Sequence, residues 1–268
     1  MFGKIIEELS KNENIEAIAL GGSRGAGHGD PKSDYDVYVY SKEPVPEDFR
    51  QAIFEKYCSR FEVGNHFFEY EDNCIMNDGI PVDIIYRSLD GFEKYMEKLI
   101  GDCRARNGYT TCFWYNLVYS EIIYDPDGKY AALQKRFDIP YPEKLKDNII
   151  DSGIRLLCND LPAFDAQIMK AVRRGDVVSI NHRVTEFVAV YFDVIFAMNE
   201  KLHPGEKRLI ELAKAECPIL PDAFEENLKS LYGDMFVFPE KIKDDLDRIT
   251  SELKKTLTKN GLYKPEVS

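Results

Sequence analysis

Three short stretches of this chain carry the residue types that phosphoryl chemistry needs. Gly21-Gly22-Ser23-Arg24 follows the apolar run Glu16-Ala17-Ile18-Ala19-Leu20. A glycine-rich turn at that place lays backbone N–H groups against phosphate oxygens, and the Ser23 hydroxyl adds a donor. Asp34 and Asp36 stand two apart in Ser33-Asp34-Tyr35-Asp36-Val37-Tyr38-Val39-Tyr40, so a strand points both carboxylates to one side. Asp83 is the lone charge in Val82-Asp83-Ile84-Ile85-Tyr86. A buried, unpaired carboxylate is costly, and two of them in separate apolar strands point to a shared partner. Mg2+ takes oxygen ligands, usually one or two protein carboxylates plus substrate phosphates. A phosphate cradle beside paired carboxylates reads as a site for nucleotide phosphoryl chemistry.

The elements that must position these residues follow from periodicity. Met1 to Ser10 reads as an amphipathic helix, Glu16–Leu20 as a short buried strand, and Tyr35–Tyr40 as a second strand with Asp36, Tyr38 and Tyr40 on one face. Pro46 opens a helix to about Tyr57, with Glu47 and Asp48 in its first turn. His66–Ile75 and Ile80–Tyr86 read as strands joined by Asn77-Asp78-Gly79, a hairpin signal. Leu89–Ile100 and Thr110–Tyr119 read as helices and Glu121–Tyr124 as a further strand. Gly25 to Lys32 is a polar, flexible loop of the kind that serves as a lid or cradle.

Gly22-Ser23, ten intervening residues, Asp34-x-Asp36 and a distal Asp83 in a strand together resemble the polymerase-β-type nucleotidyltransferase superfamily. Across the whole chain the likeness is to small bacterial antibiotic nucleotidyltransferases of the aminoglycoside and lincosamide types. The resemblance implies that Gly22 and Ser23 hold a triphosphate and that Lys207 reaches the nucleotide phosphates; Arg24, next to Ser23, is counted with them as a nucleotide-binding candidate. It implies that Asp34 and Asp36 bind Mg2+, and that Asp83 completes the metal site, acts as general base, or does both. The reaction implied is transfer of a nucleoside monophosphate, usually AMP from ATP, with pyrophosphate leaving, and two ions about 3.5–4 Å apart would stabilise the attacking and leaving oxygens. Arg24 departs from the pattern: stacking on the base, a phosphate contact and pairing with an acidic neighbour are all open to it.

The fold class expected is α+β. A nucleotidyltransferase-type mixed sheet flanked by helices (residues 1–138) precedes an all-α helical bundle (residues 139–268), with Asp138-Ile139-Pro140-Tyr141-Pro142 as the linker. Helical periodicity runs through Glu143–Cys158, Phe164–Arg174, Val177–Asn199, Glu206–Ala215, Asp222–Tyr232 and Pro239–Lys259. Val177–Asn199 is apolar around much of its circumference and belongs at a bundle centre. Lys207 is expected in the first turn of its helix. Arg183 and Glu186 read either as an intrahelical pair or as residues of a substrate cleft.

The 268 residues carry a net charge of −12. That field repels phosphate backbones and attracts small cations, so nucleic acid is not expected as a partner and an aminoglycoside-like cation suits as acceptor. That acceptor is what ties antibiotic resistance to the reading. No run is long and apolar enough to span a membrane, and no signal peptide is read at the N-terminus, so the cytoplasm is expected. The six cysteines form no CxxC pair and read as reduced and largely buried. Two readings stand beside the enzyme: a nucleotide-binding regulatory module that transfers nothing, and nucleotidylation of a protein or tRNA. Oligomeric state is not readable.

Overall fold

The computed structural model describes residues 1–25, 27, 33–161 and 163–264, apart from the side chains of Ser23 and Asn159. In chain order come α1 (Phe2–Leu9), β1 (Ile15–Leu20), the single helical turn α2 (Gly22–Gly25), β2 (Tyr35–Ser41), α3 (Glu47–Tyr57) and β3 (Cys58–Asn65). Then follow β4 (Glu71–Met76), β5 (Pro81–Arg87), α4 (Leu89–Asp102), α5 (Cys112–Tyr119), β6 (Glu121–Tyr124) and α6 (Lys129–Phe137). The remainder is helical: α7 (Glu143–Ile154), a π-helical turn (Arg155–Asn159), α8 (Phe164–Arg174), α9 (Val177–Met198), α10 (Leu209–Glu216), α11 (Phe224–Asp234) and α12 (Ile242–Lys259). The chain forms two compact units, Met1–Leu99 with Asn116–Ile139 and Ile100–Tyr115 with Pro140 onward.

The first unit is built on a six-stranded mixed sheet of order β3-β4-β5-β2-β1-β6. Strands β2 and β5 run parallel and the other neighbours antiparallel. Side chains alternate across a strand, so Val37, Val39, Val82 and Ile84 share one face. They bury it beneath Ile5 and Leu9 of α1 and Ile53 and Phe54 of α3. Each such fully buried side chain contributes about 1.5–3 kcal/mol. The opposite face carries Asp36, Tyr38 and Tyr40, registered against Asp83, Ile85 and Arg87. Tyr40 packs against Phe92 of α4 and Tyr130 of α6, with ring centroids 5.6 and 4.8 Å away. Aromatic rings therefore close the Tyr40 end of this face, while Asp36 and Asp83 stay half-buried.

One strand differs from expectation. The run expected from His66 to Ile75 begins only at Glu71, and β3 precedes it. Helix α3 passes straight into β3: Cys58 is already extended at φ −120°, ψ 142°. No glycine or proline marks that junction, so periodicity alone runs past it. The Asn77-Asp78-Gly79 turn forms as expected, with the Gly79 N–H donating to the Met76 carbonyl at 2.8 Å.

In the second unit α9 is buried without interruption from Phe187 to Met198, as an all-round apolar helix at a core centre must be. Asp176 caps it by accepting the Ser179 N–H at 3.0 Å. Ile100–Tyr115, which lies ahead of the linker in sequence, packs here. Asp193 of α9 accepts the Thr110 N–H at 3.0 Å and the Thr110 hydroxyl at 2.5 Å, and the His203 N–H donates to Thr111 Oγ1 at 2.8 Å. All six cysteines are free, four of them buried. Among the described residues no helix is long and apolar enough to cross a membrane.

Candidate active site

Asp36 is the second residue of β2 and Asp83 the third of β5, and parallel pairing sets them directly side by side. Asp34 stands just ahead of β2. One carboxylate oxygen from each of Asp34, Asp36 and Asp83 lies within 4.8 Å of the others, and all three residues are half-buried. Three such charges repel one another by about 1 kcal/mol per pair in water and about 4 near a protein surface. A cluster so crowded needs anchors, and the chain supplies them.

Gly22 sits over Asp36 at φ +58°, where a Cβ would fall 1.7 Å from Asp36 Oδ2. Both the left-handed backbone and the close approach demand glycine there. The neighbouring Gly21 N–H donates to the Asp36 carbonyl at 2.8 Å, fixing the turn to the strand. Arg24 pins the far end of the loop. Its Nε donates to the carbonyls of Ser33 and Asp34 at 2.9 and 3.1 Å, its Nη2 donates to Ser33 at 2.6 Å, and its guanidinium lies 4.1 Å over the Tyr35 ring. Besides the three roles open to it in sequence, Arg24 thus holds main-chain carbonyls beside the paired aspartates.

Asp83 is fixed from β4, where Asn73 Nδ2 donates to Asp83 Oδ1 at 2.7 Å. Glu71 lies two residues from Asn73 on the same face and is 8% exposed. Burial first, and then the charge of Asp83, push its carboxyl above the usual range. Neither Asn73 nor Glu71 was visible as a site residue in sequence, because β4 itself was misplaced by the missing β3.

Two expected pieces are not joined to this cluster by the described residues of the first unit. The Ser23 side chain, Ala26 and residues 28–32 lie outside the described residues, so the serine and most of the expected lid are not placed. Lys207 is exposed in a turn ahead of α10, in the second unit, rather than in a first helical turn. Gly205 at φ +109° and Arg208 at φ +55° hold residues 206–208 out of the helix. Arg183 and Glu186 form the intrahelical pair, Nη1 to Oε2 at 3.1 Å.

Residues 3–67 match the family model described as Polymerase beta, Nucleotidyltransferase. That stretch includes Gly22, Ser23, Asp34 and Asp36 and stops short of Asp83. Residues 114–209 match a domain of unknown function (DUF4037). No curated protein matches the chain in sequence. Among solved structures it is similar to a nucleotidyltransferase-like protein from Exiguobacterium sibiricum 255-15, at TM-score 0.43 and 12% identity over 96% of this chain and 73% of that one. It is also similar to an aminoglycoside 6-adenyltransferase from Bacillus subtilis, at TM-score 0.31 and 12% identity over 98% and 91%. A third is the Thermotoga maritima CCA-adding enzyme complexed with tRNA, at TM-score 0.31 and 12% identity over 99% and 82%. The likeness read from Gly22-Ser23 and Asp34-x-Asp36 is therefore matched by the nucleotidyltransferase family model over residues 3–67.

Proposed function

We propose that this nucleotidyltransferase moves a nucleoside monophosphate, AMP from ATP in the first instance, onto a hydroxyl of a small acceptor. The observation that carries the reading is the convergence of Asp34, Asp36 and Asp83 within 4.8 Å, two of them inside the stretch that matches the family model. An all-carboxylate donor set on a half-buried face suits a hard divalent cation. Asp34, Asp36 and Asp83 would hold Mg2+, which when bound supplies charge stabilisation at the transferring phosphate. Gly22, with no side chain in the way, and Ser23 would receive the triphosphate. The acceptor oxygen forms a bond to the α-phosphorus, the bond from that phosphorus to the bridging oxygen breaks, and pyrophosphate leaves with the electron pair. The hydroxyl proton passes to a carboxylate of the cluster. The charge of −12 favours a cationic acceptor, an aminoglycoside-like one included.

Incubation of the full chain with α-labelled ATP, Mg2+ and a panel of cationic and neutral hydroxylated acceptors tests this, scoring pyrophosphate release and label transfer together. Label is expected on a small cationic acceptor, and Asp36→Asn is expected to abolish transfer without unfolding the protein. Thermal stabilisation by ATP and Mg2+ with no pyrophosphate release from any acceptor would instead favour a non-catalytic module. Label appearing on tRNA or on protein would move the acceptor to that class.

A further inference from the structure

The face of the sheet that carries the three aspartates also carries a row of side-chain amides. Asn73 of β4 pairs in register with Asp83 and donates to it at 2.7 Å. Asn65, at the end of β3, donates in turn to Asn73 Oδ1. The Phe67 N–H reaches Asn65 Oδ1 at 3.4 Å. The order of donors is forced by chemistry. A carboxylate only accepts, so Asn73 must turn its NH2 to Asp83 and its oxygen outward, and Asn65 must then present its own NH2.

Asn65 reaches that face only because β3 is irregular. Glu62 pairs with Asn73, yet Asn65 rather than Gly64 pairs with Glu71, so β3 holds one residue more than its partner strand. Gly64 takes up the extra length at φ +72°. A bulge of this kind re-aims the side chain that follows it. The bulge is locked from the other side of the sheet: the Gly64 N–H donates to the buried Asp72 carboxylate at 2.8 Å. Asp72 also pairs with buried Arg50 and accepts the Tyr86 hydroxyl at 2.8 Å. Asn is a poor strand former, and two half-buried amides contribute less to folding than apolar residues in the same places would. The arrangement makes sense as support for Asp83.

We infer that Asn73, braced by Asn65 across the β3 bulge, is a positioning residue that fixes the Asp83 carboxylate for the metal-binding cluster. The inference rests on the reading of Asp34, Asp36 and Asp83 as the metal-binding cluster. Residues that orient a metal ligand from behind typically govern metal affinity or activity by about 10- to 100-fold.

The test measures Mn2+ binding to the full-length protein by the electron paramagnetic resonance of free Mn2+, with no nucleotide present. Wild type is compared with Asn73→Ala, Asn65→Ala and Asp36→Asn, and a thermal melt without metal is recorded for each. Asn73→Ala is expected to weaken Mn2+ binding about 10-fold and Asn65→Ala by less, with metal-free melting temperatures unchanged or slightly raised. In turnover assays kcat should fall more than KM for ATP rises. Wild-type Mn2+ affinity in Asn73→Ala, alongside its loss in Asp36→Asn, overturns the inference and leaves the cluster standing. Wild-type affinity in Asp36→Asn overturns the cluster reading itself, and the inference with it. Should Asn73→Ala fail to fold, Asn65→Ala decides, because it leaves the Asn73–Asp83 bond in place and removes only its brace. Unchanged Mn2+ binding there overturns the inference.

Discussion

Asp36 occupies the space that any side chain on Gly22 would need, and this gives a prediction at single-residue scale. In Gly22→Ala the new Cβ would fall 1.7 Å from Asp36 Oδ2, on a backbone at φ +58°. The left-handed conformation alone costs about 1–2 kcal/mol for a residue with a Cβ, and Asp36 must also move. A displacement of about 1 Å in a reacting constellation costs on the order of 100-fold in rate. Gly22→Ala is therefore expected to lower label transfer by about that factor and to lower the melting temperature by a few degrees. Gly3→Ala serves as the control: a Cβ there meets nothing within 4 Å inside α1, so transfer should be unchanged. The same site shows which residues a sequence can disclose. Asp36 and Asp83 stand out because a charge inside an apolar strand breaks a local pattern. Asn73 breaks none, and its role exists only once the register sets it opposite Asp83. Arg24 was conspicuous but ambiguous, since main-chain carbonyls nine and ten residues away leave no trace in composition.

Among elements, the legible ones were those with a clean period. Strands β2 and β5 alternate, and α9 is apolar all round, so each formed close to where its pattern lies. β3 was illegible because α3 enters it without a breaker and its own alternation is interrupted at Gly64. Helix α10 starts late because two left-handed residues precede it. The segment Ile100–Tyr115 was assigned by its place in the chain, whereas its partner, Asp193, lies 83 residues on from Thr110. That contact predicts a pH dependence. Burial lifts the Asp193 carboxyl to about 6 against the hydrogen bonds from Thr110. A raised carboxyl adds stability that is fully present below its ordinary value of 3.8 and lost as pH rises through about 6. Burial lowers the His203 imidazole from 6.5 to about 3, so His203 works in the opposite sense and costs stability as pH falls below 6.5. Relative to wild type, Asp193→Asn is expected to be about 1–2 kcal/mol more favourable at pH 8 than at pH 5. His203→Gln should show the reverse trend. Denaturant unfolding at the two pH values checks both, and parallel profiles for variant and parent would remove the buried groups as the cause.

For the molecule as a whole, the decisive quantity is the charge of −12 spread over 268 residues. Fields of that sign act on encounter rather than on folding, and they fade as salt shortens the screening length, which is about 10 Å at 0.1 M. A cationic acceptor approaching the carboxylate cluster is drawn by both the local and the overall field. Its kcat/KM is expected to fall by about 5- to 10-fold between 20 and 300 mM NaCl, a modest part of the enhancement that steering can give. A neutral hydroxylated acceptor should lose less than about 2-fold over the same range, because only the ATP step is then exposed to screening. The same field should keep tRNA from being retained at low salt, where a protein that grips a phosphate backbone binds most tightly. Steady-state kinetics for one acceptor of each charge, with tRNA retention measured across the same salt series, separate the cases. Equal salt slopes for the two acceptors would mean that acceptor charge plays no part in recognition. Retention of tRNA that weakens steeply with salt would mean instead that a basic surface overrides the net charge and that the acceptor is a nucleic acid.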